Sequence, residues 1–211
     1  MSKRDDMNML DNMVYNGLCE TTAPTIYSTM GITPNMITTF TLVIRLLAAY
    51  FIYSGLQNPR HFSIAAGLVL LSIFTDALDG YIARKYGLSS EFGAKYDMWT
   101  DIITYIIITI VLVWVYYIKF GPKGLWVLLP LAIINIIGGI YECTVAAMKY
   151  KKQLYQSETP HYTSTTHIGL AIHGPDRDYE YYDRKANDLK RFSGGTTQIL
   201  YAMLIFALGW I

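Results

Sequence analysis

The chain has 211 residues, 53% of them hydrophobic and only 16% charged. That balance is too apolar for an ordinary soluble domain, and the length suits one compact unit. The net charge is +1, and no basic stripe is interleaved with exposed aromatics, so nucleic acid is excluded as an expected partner. Cys19 and Cys143 form neither a disulfide framework nor a metal-ligand spacing, and both read as reduced, structural residues.

Residues 1–33 carry no charged region leading into an apolar core and cleavage site, so no cleavable signal is expected. Within them Met9, Leu10, Met13, Val14 and Leu18 recur at helical spacing, while Asp11, Asn12 and Asn16 are polar. This pattern predicts an amphipathic juxtamembrane helix on a membrane surface. From Pro34 onward, five apolar runs approach the ~20 residues that cross a bilayer: 34–55, 62–83, 97–118, 124–148 and 193–211. Breakers separate them, with Gly31 and Pro34 before the first, Asn58 and Pro59 after it, and Gly121 and Pro122 before the fourth. The expected fold is all-α, a polytopic membrane helix bundle over 34–211.

Charge places the loops. With Lys3 and Arg4 on the cytoplasmic side, alternating spans bring thirteen Lys and Arg to that side and only Arg60, Lys119 and Lys123 to the other, as the positive-inside rule demands. The segment 150–192 on the same side is polar and rich in charge, Tyr and His, and is unsuited to lipid. His161, His167 and His173 stand six apart there and match no common zinc arrangement, so they read as part of a solvated loop.

The stretch 76-DALDGYIARKYGLSSEFGAKYDMWTD-101 places four aspartates at the facing ends of the second and third spans. A carboxylate at membrane depth costs at least about 2.5 kcal/mol and marks function by default. Asp76 and Asp79 are three apart, and Asp97 and Asp101 four apart, so each pair lies on one helix face. Four such carboxylates repel one another unless cations lie between them, and an oxygen-only set suits Mg²⁺ or Mn²⁺. Mg²⁺ is commonly shared with substrate phosphates, which makes a phosphate ester or anhydride the implied substrate. Gly80 and Gly93 leave room for close approach, Ala83 is small, and Arg84 can bind phosphate oxygens in a fork.

The order Asp76-x2-Asp79-Gly80-x2-Ala83-Arg84-x8-Gly93-x3-Asp97-x3-Asp101 resembles the signature of the CDP-alcohol phosphotransferase family at every defined position. The resemblance implies an integral membrane enzyme of phospholipid synthesis that takes a CDP-linked donor, releases CMP and joins the phosphoryl group to an alcohol. It further implies that Asp76, Asp79 and Asp97, with Asp101 beside them, bind a pair of Mg²⁺ or Mn²⁺ ions. Asp101 would be the general base, and Gly80, Ala83, Arg84 and Gly93 would meet the nucleotide and its diphosphate. A homodimer is expected on the same ground.

The wording from Asp76 to Gly80 and from Asp97 to Asp101 is similar to phosphatidylinositol synthases, which favours CDP-diacylglycerol as donor and inositol as acceptor. Ile102 stands where those enzymes usually continue with arginine, and their later histidine-rich element is not recognisable. The opening Pro34-Asn35-Met36-Ile37-Thr38 is shared with the choline and ethanolamine branch, so transfer from CDP-choline or CDP-ethanolamine to diacylglycerol is the alternative. Members typically have six membrane helices, whereas five are expected here. Arg45 on the first span and Asn135 and Glu142 on the fourth are candidates for the acceptor pocket, against a competing role in helix packing. A divalent-cation transporter is the reading from another class, but it wants carboxylates along a whole passage.

Overall fold

The computed structural model describes residues 13–156, 164–192 and 194–211. Among these the secondary structure is entirely helical. The described residues form two compact units, one of 13–129 with 198–211 and one of 130–156, 164–192 and 194–197.

The first unit opens with a helical lead-in in which α1 (Glu20–Pro24) is flanked by wider turns at Met13–Cys19 and Thr25–Thr29. The expected amphipathic helix is thus present from Met13, with Met9 and Leu10 outside the described residues. Cys19 and Ala23 are fully buried against Ile37, Leu78 and Ile82, with Val14, Ile26 and Tyr27 packed beside them, while Leu18 points outward. The protein-facing stripe therefore runs through Cys19 rather than Leu18.

Two long helices follow, α2 (Pro34–Ser54) and α3 (Arg60–Lys85). Pro34 starts α2 at the position where a missing N–H costs nothing. The buried face of α2 runs Ile37, Thr41, Ile44, Arg45, Ala48 and Ile52, and α3 offers Ala65, Ala66, Val69, Ser72, Thr75 and Asp79. Interiors made of Ala, Ser and Thr let helix backbones approach closely, as helices do in lipid. Phe40, Val43, Leu47, Leu70 and Leu71 are turned outward instead. Such a distribution, small and polar inside and large and apolar outside, suits a hydrocarbon surround.

Helix α4 (Glu91–Phe120) continues through a 3₁₀ turn (Gly121–Val127) into α5 (Leu128–Tyr155). Gly121 takes φ +64°, open to glycine without penalty, and Pro122 follows it. The break falls where the sequence separates the third and fourth apolar runs. By length and composition, three continuous helical stretches among the described residues can cross a membrane: Pro34–Ser54, Arg60–Lys85 and Glu91–Tyr155, the last including the break. The fifth predicted run, 193–211, yields the shorter α8 (Gly194–Leu208).

In the second unit the expected solvated loop is largely helical, with α6 (Ser164–His173) and α7 (Tyr179–Leu189). His161 lies outside the described residues. Gly169 sits against the Cys143 carbonyl and Ala147 of α5, leaving no room for a Cβ. Tyr182 is fully buried beside Ala147, Met148 and Leu170, and its hydroxyl donates to Gly174 O at 2.8 Å. His173 shares a 2.8 Å hydrogen bond with Thr144 Oγ1 and meets Tyr182 edge-on. Burial, and then the Lys185 charge, lower the His173 pKa below its ordinary value.

A histidine that resists protonation in the folded state ties stability to pH. Because the unfolded chain takes up the proton first, stability from this unit is full above about pH 6.5 and falls as pH drops through that value. The protection of the amides of 164–189 against hydrogen exchange, with the intrinsic rate at each pH divided out, should fall between pH 7.5 and 5.5. His173→Gln should remove most of that pH dependence.

Candidate active site

The turn between α3 and α4 sets the site. At the end of α3, Gly87 takes φ +67° and Leu88 N donates to Ala83 O at 2.8 Å, a Schellman closure. Ser90 then caps α4, its Oγ accepting from Gly93 N at 3.0 Å. These two caps reverse the chain within a few residues, so the aspartate faces of α3 and α4 confront one another.

One carboxylate oxygen each from Asp76, Asp97 and Asp101 lies within 4.8 Å of the others. Asp79 is buried and turned to α2, where Thr38 Oγ1 donates to its Oδ2 at 2.7 Å. It shares a cleft of about 170 Å³ with Thr38, Asp97, Gly80, Ala83, Arg84 and Gly93, whose floor is completed by Pro34, Asn35, Ser89 and Ser90. The predicted motif residues are therefore collected, with Asp76 and Asp101 in the carboxylate cluster and Asp79 in the cleft. Asp97 belongs to both.

Both motif glycines are places of close approach. A Cβ on Gly80 would stand 2.9 Å from Arg84 Nη2, so the guanidinium lies over the bare backbone of α3. A Cβ on Gly93 would stand 3.0 Å from both Asn35 Oδ1 and Ser90 Oγ. The opening Pro34-Asn35 of α2 is thus part of the cleft wall and not only a helix start.

Arg45 has a role that spacing did not predict. It is only 6% exposed, and its Nη2 lies 3.0 Å from Asp76 Oδ1 while its Nη1 pairs with Asp101 Oδ1. One guanidinium from α2 thus ties together carboxylates of α3 and α4. Below it Thr41 Oγ1 donates to Thr75 Oγ1 at 2.7 Å, extending the polar seam between α2 and α3. A sequence signal existed, since Arg45 is the one charged residue in Pro34–Ser54. Asn135 and Glu142 lie on the part of α5 that belongs to the second unit, where Asn135 Nδ2 donates to Leu131 O of its own helix at 2.7 Å. Glu142 is exposed.

The donor set fits a divalent cation. Three carboxylates crowd one spot, one guanidinium answers two of them, and all the donors are oxygen. Two helix faces of carboxylates thus meet beside an arginine-covered glycine, among long apolar helices.

The family profile described as CDP-alcohol phosphatidyltransferase matches residues 31–173, and the chain belongs to that family. Among relatives, it is 44% identical over 75 residues to archaetidylinositol phosphate synthase of Pyrococcus horikoshii, covering 35% of this chain and 37% of that protein. It is 50% identical over 38 residues to CDP-diacylglycerol–serine O-phosphatidyltransferase of Methanocaldococcus jannaschii, 18% of this chain and 19% of that one. An uncharacterized protein of Aquifex aeolicus is 32% identical over 111 residues, 53% of this chain and 54% of its own length. The chain therefore spans little more than half of any of these relatives, and only about a third and a fifth of the two named ones.

Proposed function

We propose that this chain is a multi-pass membrane transferase that moves a lipid-phosphate group from a CDP-linked lipid, CDP-diacylglycerol being favoured, to a small alcohol, inositol being favoured, with release of CMP. The observation that carries the reading is the family motif gathered at one end of α3 and α4, with Asp76, Asp97 and Asp101 converging in a carboxylate cluster that Asp97 shares with the cleft of Asp79, Gly80, Arg84 and Gly93. The two named relatives add weight, since their names contain inositol phosphate and serine as head groups and, in one, CDP-diacylglycerol as donor.

Arg84 and the bare backbone at Gly80 receive the diphosphate, because a guanidinium fork matches phosphate oxygens and no Cβ intervenes. The nucleotide lies along Asn35, Ser90 and Gly93. The acceptor hydroxyl attacks phosphorus, a new O–P bond forms, the bond to the bridging oxygen of CMP breaks, and the hydroxyl proton passes to Asp101. Mg²⁺ or Mn²⁺ held by Asp76, Asp79 and Asp97, with Asp101 beside them, would supply positive charge to the phosphate oxygens when bound. The basic residues Arg84, Lys85 and Lys95 flank this end of α3 and α4, and the positive-inside rule supports a cytoplasmic-side cleft.

The test is CMP release by the purified chain in detergent with Mg²⁺ or Mn²⁺. CDP-diacylglycerol is paired in separate reactions with inositol, serine or glycerol 3-phosphate, and CDP-choline or CDP-ethanolamine is paired with diacylglycerol. Release that needs CDP-diacylglycerol, inositol and a divalent cation is the expected result. Release only from the CDP-choline or CDP-ethanolamine pairs transfers the assignment to that branch, and no release from any pair sinks the transferase reading.

A further inference from the structure

Helices α4 and α8 run parallel in the first unit. Thr109 Oγ1 lies 2.9 Å from Tyr201 Oη, Tyr116 Oη donates to Leu204 O at 3.4 Å, and Lys119 Nζ donates to Leu208 O at 2.8 Å. Asp101, Tyr105 and Thr109 follow one another at i,i+4 on α4, and Gln198 precedes Tyr201 by three on α8, so each set shares a helix face. Continuing the parallel register one turn back from the Thr109 and Tyr201 pair brings Gln198 to the level of Tyr105, the turn next to Asp101. Helical side chains lean toward the N-terminus, which for both residues is the Asp101 end.

Two atoms on this seam stand out. Tyr105 Oη and Gln198 Oε1 are buried with no hydrogen-bond partner, the two such side-chain atoms among the described residues. The Tyr201 ring stands edge-on to Tyr105 at 5.2 Å, and the Tyr201 hydroxyl, engaged with Thr109 at 2.9 Å, is a hydrogen-bonding neighbour of the Tyr105 hydroxyl without a bond of full geometry between them. A buried polar atom without a partner carries its full desolvation penalty, and a native protein that keeps such atoms calls for an explanation. Their chemistry is complementary to a hydroxyl group, since the tyrosine O–H donates and the glutamine Oε1 accepts.

We propose that Tyr105 and Gln198 form the subsite for the non-reacting hydroxyl groups of the acceptor, which is an uncharged polyol. This rests on the transferase reading above and deepens it. One helical turn, about 5.4 Å, separates the level of Asp101 from that of Tyr105, which is on the order of the width of a polyol ring. An acceptor hydroxyl presented to Asp101 thus leaves its other hydroxyls at Tyr105 and Gln198. Tyr105, Thr109, Gln198 and Tyr201 are all neutral, so a phosphate or carboxylate at that depth would meet no opposite charge on the seam.

The experiment measures initial CMP release against inositol concentration, with CDP-diacylglycerol and Mg²⁺, for the full chain and for Tyr105→Phe and Gln198→Met. Thermal midpoints are recorded alongside. The subsite requires at least a tenfold rise in the inositol KM in each variant, with the KM for CDP-diacylglycerol within threefold and the midpoint not lowered. An inositol KM unchanged within twofold in both variants overturns it and leaves a trapped water as the occupant of the seam. Should a variant fail to fold, the unaltered chain decides. A deoxy-inositol lacking a remote hydroxyl should be used at least tenfold less efficiently than inositol, and equal use refutes the subsite. Turnover with serine or glycerol 3-phosphate but not inositol also refutes it while leaving the transferase reading standing. Absence of CMP release from the unaltered chain with every acceptor refutes the transferase reading itself.

Discussion

Asp101→Asn lowers turnover by about 10²- to 10⁴-fold, the range a positioned general base contributes, while the protein still folds and still binds the CDP-lipid. The substitution is isosteric and leaves an oxygen for Arg45 Nη1, but an amide cannot take the proton of the acceptor hydroxyl. Asp101 suits the base role because its side chain, 43% exposed, is more open than that of Asp76 at 31%. Asp79 is held by Thr38, Asp76 by Arg45, and Asp101 is tied to Arg45 through its Oδ1. Donor binding is read by quenching with a fluorescent CDP-lipid analogue and turnover by CMP release. Near-normal turnover in the variant removes Asp101 from the base role. Loss of donor binding together with turnover reassigns it to holding the cation and diphosphate.

Much of this site was legible because its information is local. Asp76, Asp79, Gly80, Arg84, Gly93, Asp97 and Asp101 are placed by helix periodicity on two helices joined by a short turn, and periodicity is what a sequence displays. The caps that close the turn, Gly87 and Ser90, carry ordinary signatures of helix ends. Arg45 was harder, because its partners Asp76 and Asp101 are 31 and 56 residues away on other helices. No spacing rule links them. The hydrogen bond from Thr38 to Asp79 and the approach of Asn35 to Gly93 have the same origin, since both are made by the packing of α2 against its neighbours.

The segment 150–192 misled for a different reason. Its charges and tyrosines are those of a solvated stretch, and α7 buries only a narrow face through Tyr182 and Ala186. Glycine did the rest: Gly169 lets α6 lie against the backbone of α5, a contact that no hydrophobic count registers. The final apolar run was read from hydropathy alone, which cannot see that α8 ends at Leu208, where Lys119 reaches across to take its carbonyl.

Arg45→Met is expected to reduce turnover by at least a hundredfold while tightening, not weakening, the binding of Mn²⁺. The buried guanidinium is the positive charge paired with Asp76 and Asp101. Removing it leaves Asp76, Asp97 and Asp101 within a few ångströms of one another with their repulsion unrelieved. A divalent cation then gains by neutralising that cluster, so the thermal midpoint of the variant should rise on adding Mg²⁺ by more than that of the unaltered chain. Turnover falls nonetheless, because the fork from α2 is what fixes the Asp101 carboxylate relative to Asp76, and a misplacement of about 1 Å at a reacting centre can cost 10²-fold. Arg45→Lys keeps the charge but loses the bidentate geometry, so it should recover the midpoint without the added cation and only part of the turnover. Mn²⁺ affinity read by electron paramagnetic resonance, beside CMP release, separates these effects. Turnover within threefold of normal in Arg45→Met would mean that α3 and α4 hold the aspartates in place without the first membrane helix.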